Sequence, residues 1–216
     1  MTSTKLFRES IAEQVYAIIK EEILLAKREP GEQINPRELA SKLGLSIMPI
    51  RDALKQLVDE GLVVHKPRVG YFVRTFTSQE IREIMEVRKL CEVYCLEEYF
   101  DRIDREKLLA CLESSQEEHD PTEGEEFEHL DDNIHSLIVQ ASGNIFLIKG
   151  YENLKDLIVL IRHLVRNQTY QANEEHIMLI EAILKGDREG AKQILKDHID
   201  RVTKSFSKVS FKSFNN

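Results

Sequence analysis

Apolar positions recur at helical spacing along most of the chain, with one short interruption. Ile11, Val15, Ile18, Ile19, Ile23 and Leu24 form one stripe, which predicts a helix that stops near the turn Arg28-Glu29-Pro30-Gly31. Pro36 opens a short second helix with Leu39, Ala40 and Leu43 on one face, and Gly44 ends it. Ser46 is an N-cap residue for a third helix from about Ile47 to Glu60, closed by Gly61. The interruption follows. Leu62 to His65 and Tyr71 to Arg74 read as strands around the basic turn Lys66-Pro67-Arg68-Val69-Gly70. Three helices and a β-hairpin predict a winged helix-turn-helix.

From Thr77 onward the pattern is helical throughout. Thr77 or Ser78 caps a helix to about Phe100, and a second runs from Ile103 to about Glu118. After the loop His119 to Gly124 come Glu125 to Ala141, a break at Ser142-Gly143-Asn144, and Ile145 to Asn167. Asn173 to Lys185 and a last helix, N-capped by Asp187 and ending near Phe206, complete an all-α bundle. The fold class is therefore mainly α. A winged head over 1–76 precedes a helical domain over 77–206 and a flexible polar tail over 207–216.

Charge sharpens this division. The net charge of -8 argues against a uniformly nucleic-acid-binding chain, but residues 1–76 hold 12 Lys/Arg against 10 Asp/Glu, while 77–216 hold 18 against 28. A slightly basic head on an acidic body fits a DNA-binding module joined to a different one. Cys91, Cys95 and Cys111 have no disulfide or zinc-ribbon spacing and read as reduced cysteines. No signal peptide or membrane span is evident, so the expected location is the cytoplasm.

In the head, Ile50, Leu54, Leu57 and Val58 give the third helix a buried face, which leaves Arg51 and Lys55 on the other side to meet phosphates or base edges. Arg37 lies near the positive end of the second helix, where a phosphate is favoured, and Lys66 and Arg68 stand on the wing. The string Leu39-Ala40 to Gly44, Ser46, Pro49-Ile50-Arg51-Asp52-Ala53-Leu54, Leu57, Glu60-Gly61-Leu62-Val63 and Gly70-Tyr71-Phe72-Val73 resembles the winged-helix domain of GntR-family regulators. The resemblance implies operator contacts from Arg37 and Arg51, from the turn at Ser46, and from the wing between His65 and Gly70. The family usually has Arg where this chain has Ile47, so one polar contact is absent there; an apolar touch on a thymine methyl is the alternative.

In the body, Asp131 and His135 are four residues apart on one helix, with His176 and His198 on two others. One carboxylate and three imidazoles from three helices can converge on a divalent ion such as Zn²⁺, Ni²⁺, Mn²⁺ or Fe²⁺, although spacing alone leaves each free to lie on the surface. Glu86-Val87-Arg88 with Glu92, Asp131 with His135, Ser142-Gly143-Asn144, Glu175-His176 with Ala182, Gly186-Asp187 with Ala191, and His198 resemble the FCD ligand-binding domain, in its shorter VanR-like six-helix form. The resemblance implies that Asp131, His135, His176 and His198 hold a metal beside which a small organic acid binds. Arg88 then either pairs the effector carboxylate or is tied up by Glu92 or Glu86. His65, His119, His129 and His163 have no assigned role.

These readings together predict a homodimeric, DNA-binding transcription regulator controlled by a carboxylate-bearing small molecule. The metal itself as signal is the alternative. A metal-dependent hydrolase is the weaker rival, because there is no HExxH, no nucleophile elbow and no phosphate-cradling glycine loop.

Overall fold

Local signals set the head's elements. In this computed structural model, which describes residues 10–117, 133–163 and 169–206, helix α1 spans Ile11–Leu24. It opens with a capping box: Glu13 N–H donates to Ser10 Oγ at 3.2 Å, and Ser10 N–H to Glu13 Oε2 at 2.6 Å. The helix ends at Leu24, before the expected turn, because Ala26 takes a positive φ of 51°. Helix α2 (Pro36–Leu43) is capped by Asn35, whose Oδ1 accepts from Arg37 N–H at 3.0 Å, and it stops where Gly44 turns left-handed at φ 66°.

Helix α3 (Ile47–Asp59) packs on α1 and α2, and Ile50, Ala53, Leu54 and Leu57 are buried with Val15, Ile19 and Ile23 of α1. Ser46 stands at its N-cap but receives no capping hydrogen bond. The third helical residue is Pro49, which has no N–H to give, so the expected side-chain cap is replaced by an exposed hydroxyl.

The hairpin is β2 (Val63–Lys66) against β3 (Gly70–Val73), antiparallel, with His65 opposite Tyr71 and Lys66 opposite Gly70. A third strand was not expected. Gln33–Ile34, labelled β1, pairs antiparallel with β3 and gives the sheet order β1-β3-β2. Two residues carry no periodicity that a sequence can display.

The chain forms two compact units, and the second begins at Phe76. In the second, helix α4 (Ser78–Tyr99) starts from a capping box between Thr77 and Glu80. A short 3-10 turn (Phe100–Arg102) then delays α5 (Arg105–Glu117) by two residues, and Asp104 Oδ1 accepts from Lys107 N–H at 3.1 Å to cap it. Residues 133–140 form α6, and α7 (Ile145–His163) begins where Asn144 Oδ1 accepts from Phe146 N–H at 3.1 Å.

Helix α8 (Thr169–Lys185) starts four residues before the expected Asn173, since nothing in Thr-Tyr-Gln-Ala opposes a helix. Helix α9 (Arg188–Phe206) follows Asp187, which caps it by accepting from Gly190 N–H at 2.9 Å. Helix α9 lies against both α4 and α8. Ile81, Met85, Leu96, Leu108, Ile134, Ile138, Ile180, Ile183, Leu195 and Ile199 are among the buried side chains of this bundle. Among the described residues, no helix is long and apolar enough to cross a membrane.

Candidate metal centre and nucleic-acid interface

The head presents cations around one groove. Its volume is about 690 Å³, and Arg37, Ile47, Arg51, His65, Arg68 and Gly70 are among the residues lining it. Arg37 comes from the capped start of α2, Arg51 from the exposed face of α3 and Arg68 from the wing, and all three are exposed. Ser46 and Lys55 are exposed as well, but neither lines the groove. Lys66 also stands apart, with its Nζ 5.3 Å from the centre of the Phe72 ring. His65, to which the sequence assigned no role, lines the groove with its ring 4.6 Å from that of Tyr71. Three guanidiniums around an open, polar groove suit a polyanion, and the helix-plus-wing arrangement suits a duplex.

The body has a buried cluster of imidazoles. His135 on α6, His176 on α8 and His198 on α9 are each 1–2% exposed. Nε2 of His176 lies 3.3 Å from Nε2 of His135 and 3.3 Å from Nε2 of His198. The three donor atoms lie within 4.8 Å of one another. Asp131, the fourth expected ligand, lies outside the described residues, as do His119 and His129.

Two carboxylates fix how these rings face. Glu92 Oε2 is 2.6 Å from His135 Nδ1, and Glu175 Oε2 is 2.8 Å from His198 Nδ1. A carboxylate only accepts, so each Nδ1 carries a proton, and in the neutral form of the ring Nε2 then points its lone pair to the centre. His176 Nε2 has at most one proton to share between two such neighbours. Lone pairs gathered in a buried space without enough protons between them suit a divalent cation, and a carboxylate behind the imidazole is the usual support for a zinc-ligating histidine.

The electrostatics agree with this arrangement. Burial alone would raise the Glu92 carboxyl, but the Arg88 guanidinium, His135 and a hydrogen bond from Tyr151 hold it down at about 2. Burial likewise works against Glu175, and hydrogen bonds from His198 and Arg201 bring it to about 2. Burial, with His176, His135 and Arg88 nearby, lowers His198 to about 3 despite the opposing Glu175. Both carboxylates are therefore ionised and His198 is neutral, the form that binds metal.

Arg88 is buried and its Nε donates to Glu92 Oε1 at 2.8 Å, so of the two expected roles the ion pair with Glu92 is formed here. Sequence reasoning knew Glu92 only as a partner for Arg88. Tyr151, Glu175 as a brace and Arg201 were missed. Arg201 donates to both oxygens of Glu175, at 2.6 and 2.7 Å, from one turn beyond His198 on the same helix. That i, i+3 relation was the one legible hint.

Known proteins share both halves. Residues 11–73 match the model of bacterial regulatory proteins of the gntR family, and residues 83–201 match that of the FCD domain. The HTH-type transcriptional regulator YdhC of Bacillus subtilis (strain 168) is 32% identical over 195 residues, which cover 87% of each chain. A GntR transcriptional regulator from Rhodococcus sp. RHA1 has the same fold, with a TM-score of 0.85 at 18% identity over 94% of this chain and all (100%) of that one. The Zn²⁺-bound FCD domain of the transcriptional regulator TM0439 is 38% identical, with a TM-score of 0.57 over 61% of this chain and 94% of that one.

Proposed function

The chain belongs to the gntR family of bacterial regulatory proteins and carries an FCD domain, and from that premise we propose that it is a metal-loaded sensor that releases or grips operator DNA in response to a small anionic molecule. Its relatives are DNA-binding transcription regulators rather than enzymes, and so is this chain. The observation that carries the sensor reading is the inward set of three imidazole nitrogens, two of them oriented by carboxylates from behind.

In this reading His135, His176 and His198 hold the ion. A divalent metal held there would supply a positive centre able to attract a carboxylate or water. The residues do the rest. Glu92 and Glu175 keep each Nδ1 protonated and each ring aimed. Arg88 is the buried cation beside the site, able to meet an effector carboxylate at the expense of its pairing with Glu92. Burial of all three donors favours a resident ion over the metal as signal.

In the head, Arg51 reaches a base edge from the exposed face of α3. Arg37, Lys55, Lys66 and Arg68 take phosphates or the adjacent groove, and the uncapped hydroxyl of Ser46 is available to a phosphate oxygen. Ile47 makes an apolar contact in place of a charged one. Two-fold operators are read by two-fold dimers, so the working unit is a homodimer with one winged head per half-site. The effector acts only insofar as it binds one arrangement of that dimer better than the other.

The test is fluorescence anisotropy on a duplex from the protein's own promoter region, with metal content measured in parallel. Binding that changes when small carboxylic acids are added to metal-loaded protein, and that does not respond to them after chelation, supports the reading. A protein that purifies with no metal and cannot be loaded with Zn²⁺ refutes its sensor half. A protein that ignores the duplex at every salt concentration refutes the operator half.

A further inference from the structure

The wing tip is built against local preference. Val69 N–H donates to Lys66 C=O at 3.1 Å, which closes a four-residue turn with Pro67 second and Arg68 third. Arg68 has φ 64°, and a turn with Pro second and positive φ third is the type that normally takes Gly or Asn there. A side chain bearing a Cβ is strained in that position, and the strain persists only where the surroundings over-determine it.

One of those surroundings is Gln33. It sits on the two-residue strand β1 in register with Phe72, and its Nε2 donates to Val69 C=O at 3.2 Å. The amide reaches that carbonyl past Gly70, where a Cβ would stand 3.0 Å from Gln33 Nε2. Gly70 itself has φ 142°, a backbone that favours glycine, and any side chain there would also press on the Gln33 amide. The turn is thus held from one side by the β2–β3 pairing and from the other by a single side-chain amide. Arg68 shares its groove with Arg37 and Arg51.

We propose that Gln33 is a positioning residue for DNA binding: its amide pins the wing tip by the Val69 carbonyl and so keeps the strained Arg68 aimed into the groove lined by Arg37 and Arg51. The inference rests on the reading of that groove as the duplex-facing surface. Gln33 is exposed and itself lines that groove, and we assign it an action through Arg68 rather than a DNA contact of its own.

A double-mutant cycle tests it, using the full chain and the promoter-region duplex over a range of salt concentrations. Gln33→Met keeps length and loses the donor, while Arg68→Ala removes the cation. Each single variant should weaken binding roughly tenfold and reduce the slope of log affinity against log salt by about one. The double variant should bind no worse than the weaker single one, because the two act as a unit.

Additive losses would mean that Gln33 touches DNA itself, and an unchanged Gln33→Met would mean the clamp does nothing; either overturns the proposal. A merely structural role is excluded by a second variant. Arg68→Gly relieves the backbone strain and should melt at a higher temperature than the parent while binding the duplex more weakly. Parental affinity in Arg68→Gly would overturn the aiming of Arg68. Failure of the wild-type protein to bind duplex takes down the groove reading along with the clamp, whereas wild-type binding with an indifferent Gln33→Met takes down the clamp alone.

Discussion

The two groups of charged and polar side chains in this molecule are organised in opposite ways. In the head, Arg37, Arg51 and Arg68 stand exposed around an open groove, brought there by α2, α3 and the wing. In the body, Arg88, Glu92, His135, His176 and His198 are buried and packed in one contiguous group, continued by the half-buried Glu175 and Arg201. Exposed charges cost little to keep and gain their energy when a polyanion displaces counterions. Buried charges cost several kcal/mol each unless every neighbour is in place, so the body cannot lose one member without stranding another. The head should therefore fail one contact at a time, the body as a network.

That contrast gives graded predictions. The largest effect is expected from His135→Ala with His176→Ala, which should abolish bound metal by elemental analysis and remove the thermal stabilisation that added Zn²⁺ gives the parent. Full occupancy in this variant would break the assignment of the triad. Next is Glu92→Gln, which removes the buried carboxylate charge that the Arg88 guanidinium pairs with at 2.8 Å. About 3–5 kcal/mol of stability should be lost by urea denaturation, with Zn²⁺ affinity down roughly 10–100-fold. A variant that binds Zn²⁺ as tightly as the parent would show that Glu92 does not orient His135.

Smaller and confined to the head is Arg51→Ala. It should cost about 1–3 kcal/mol of operator binding while leaving metal content and melting temperature alone. Loss of metal in Arg51→Ala would erase the distinction between the two regions. The smallest effect pairs two helix starts. Asn35→Ala should destabilise the protein by about 1 kcal/mol because it removes a formed cap, and Ser46→Ala should leave the melting temperature where it was because Pro49 never offered Ser46 a donor. Equal losses from the two would mean that Ser46 caps α3 after all.

The same contrast explains what the sequence could and could not reveal. Helix boundaries set by nearest neighbours were legible: Pro36 and Gly44 around α2, Thr77 before α4, Asp187 before α9. So were the exposed cations, since a cation on the polar side of an amphipathic helix is visible in the periodicity. Partners across helices were not. Nothing in the one-dimensional spacing says that Glu92 faces His135 from 43 positions away, or that Tyr151 approaches Glu92 from 59. The histidines were picked out by family resemblance, and their supports were hidden because a Glu or Tyr on a mixed helix has the same sequence signature whether it points in or out. Strand β1 was hidden for a simpler reason, because its two residues are assigned by what β3 offers them.

The three imidazoles come from chain positions 41 and 22 residues apart, on α6, α8 and α9. An ion seated among them would be a removable cross-link between three helices, undone by any stronger chelator. The lifetime of the regulator against proteases would then follow the supply of that ion, and a cell starved of it would hold fewer intact copies whatever its effector level.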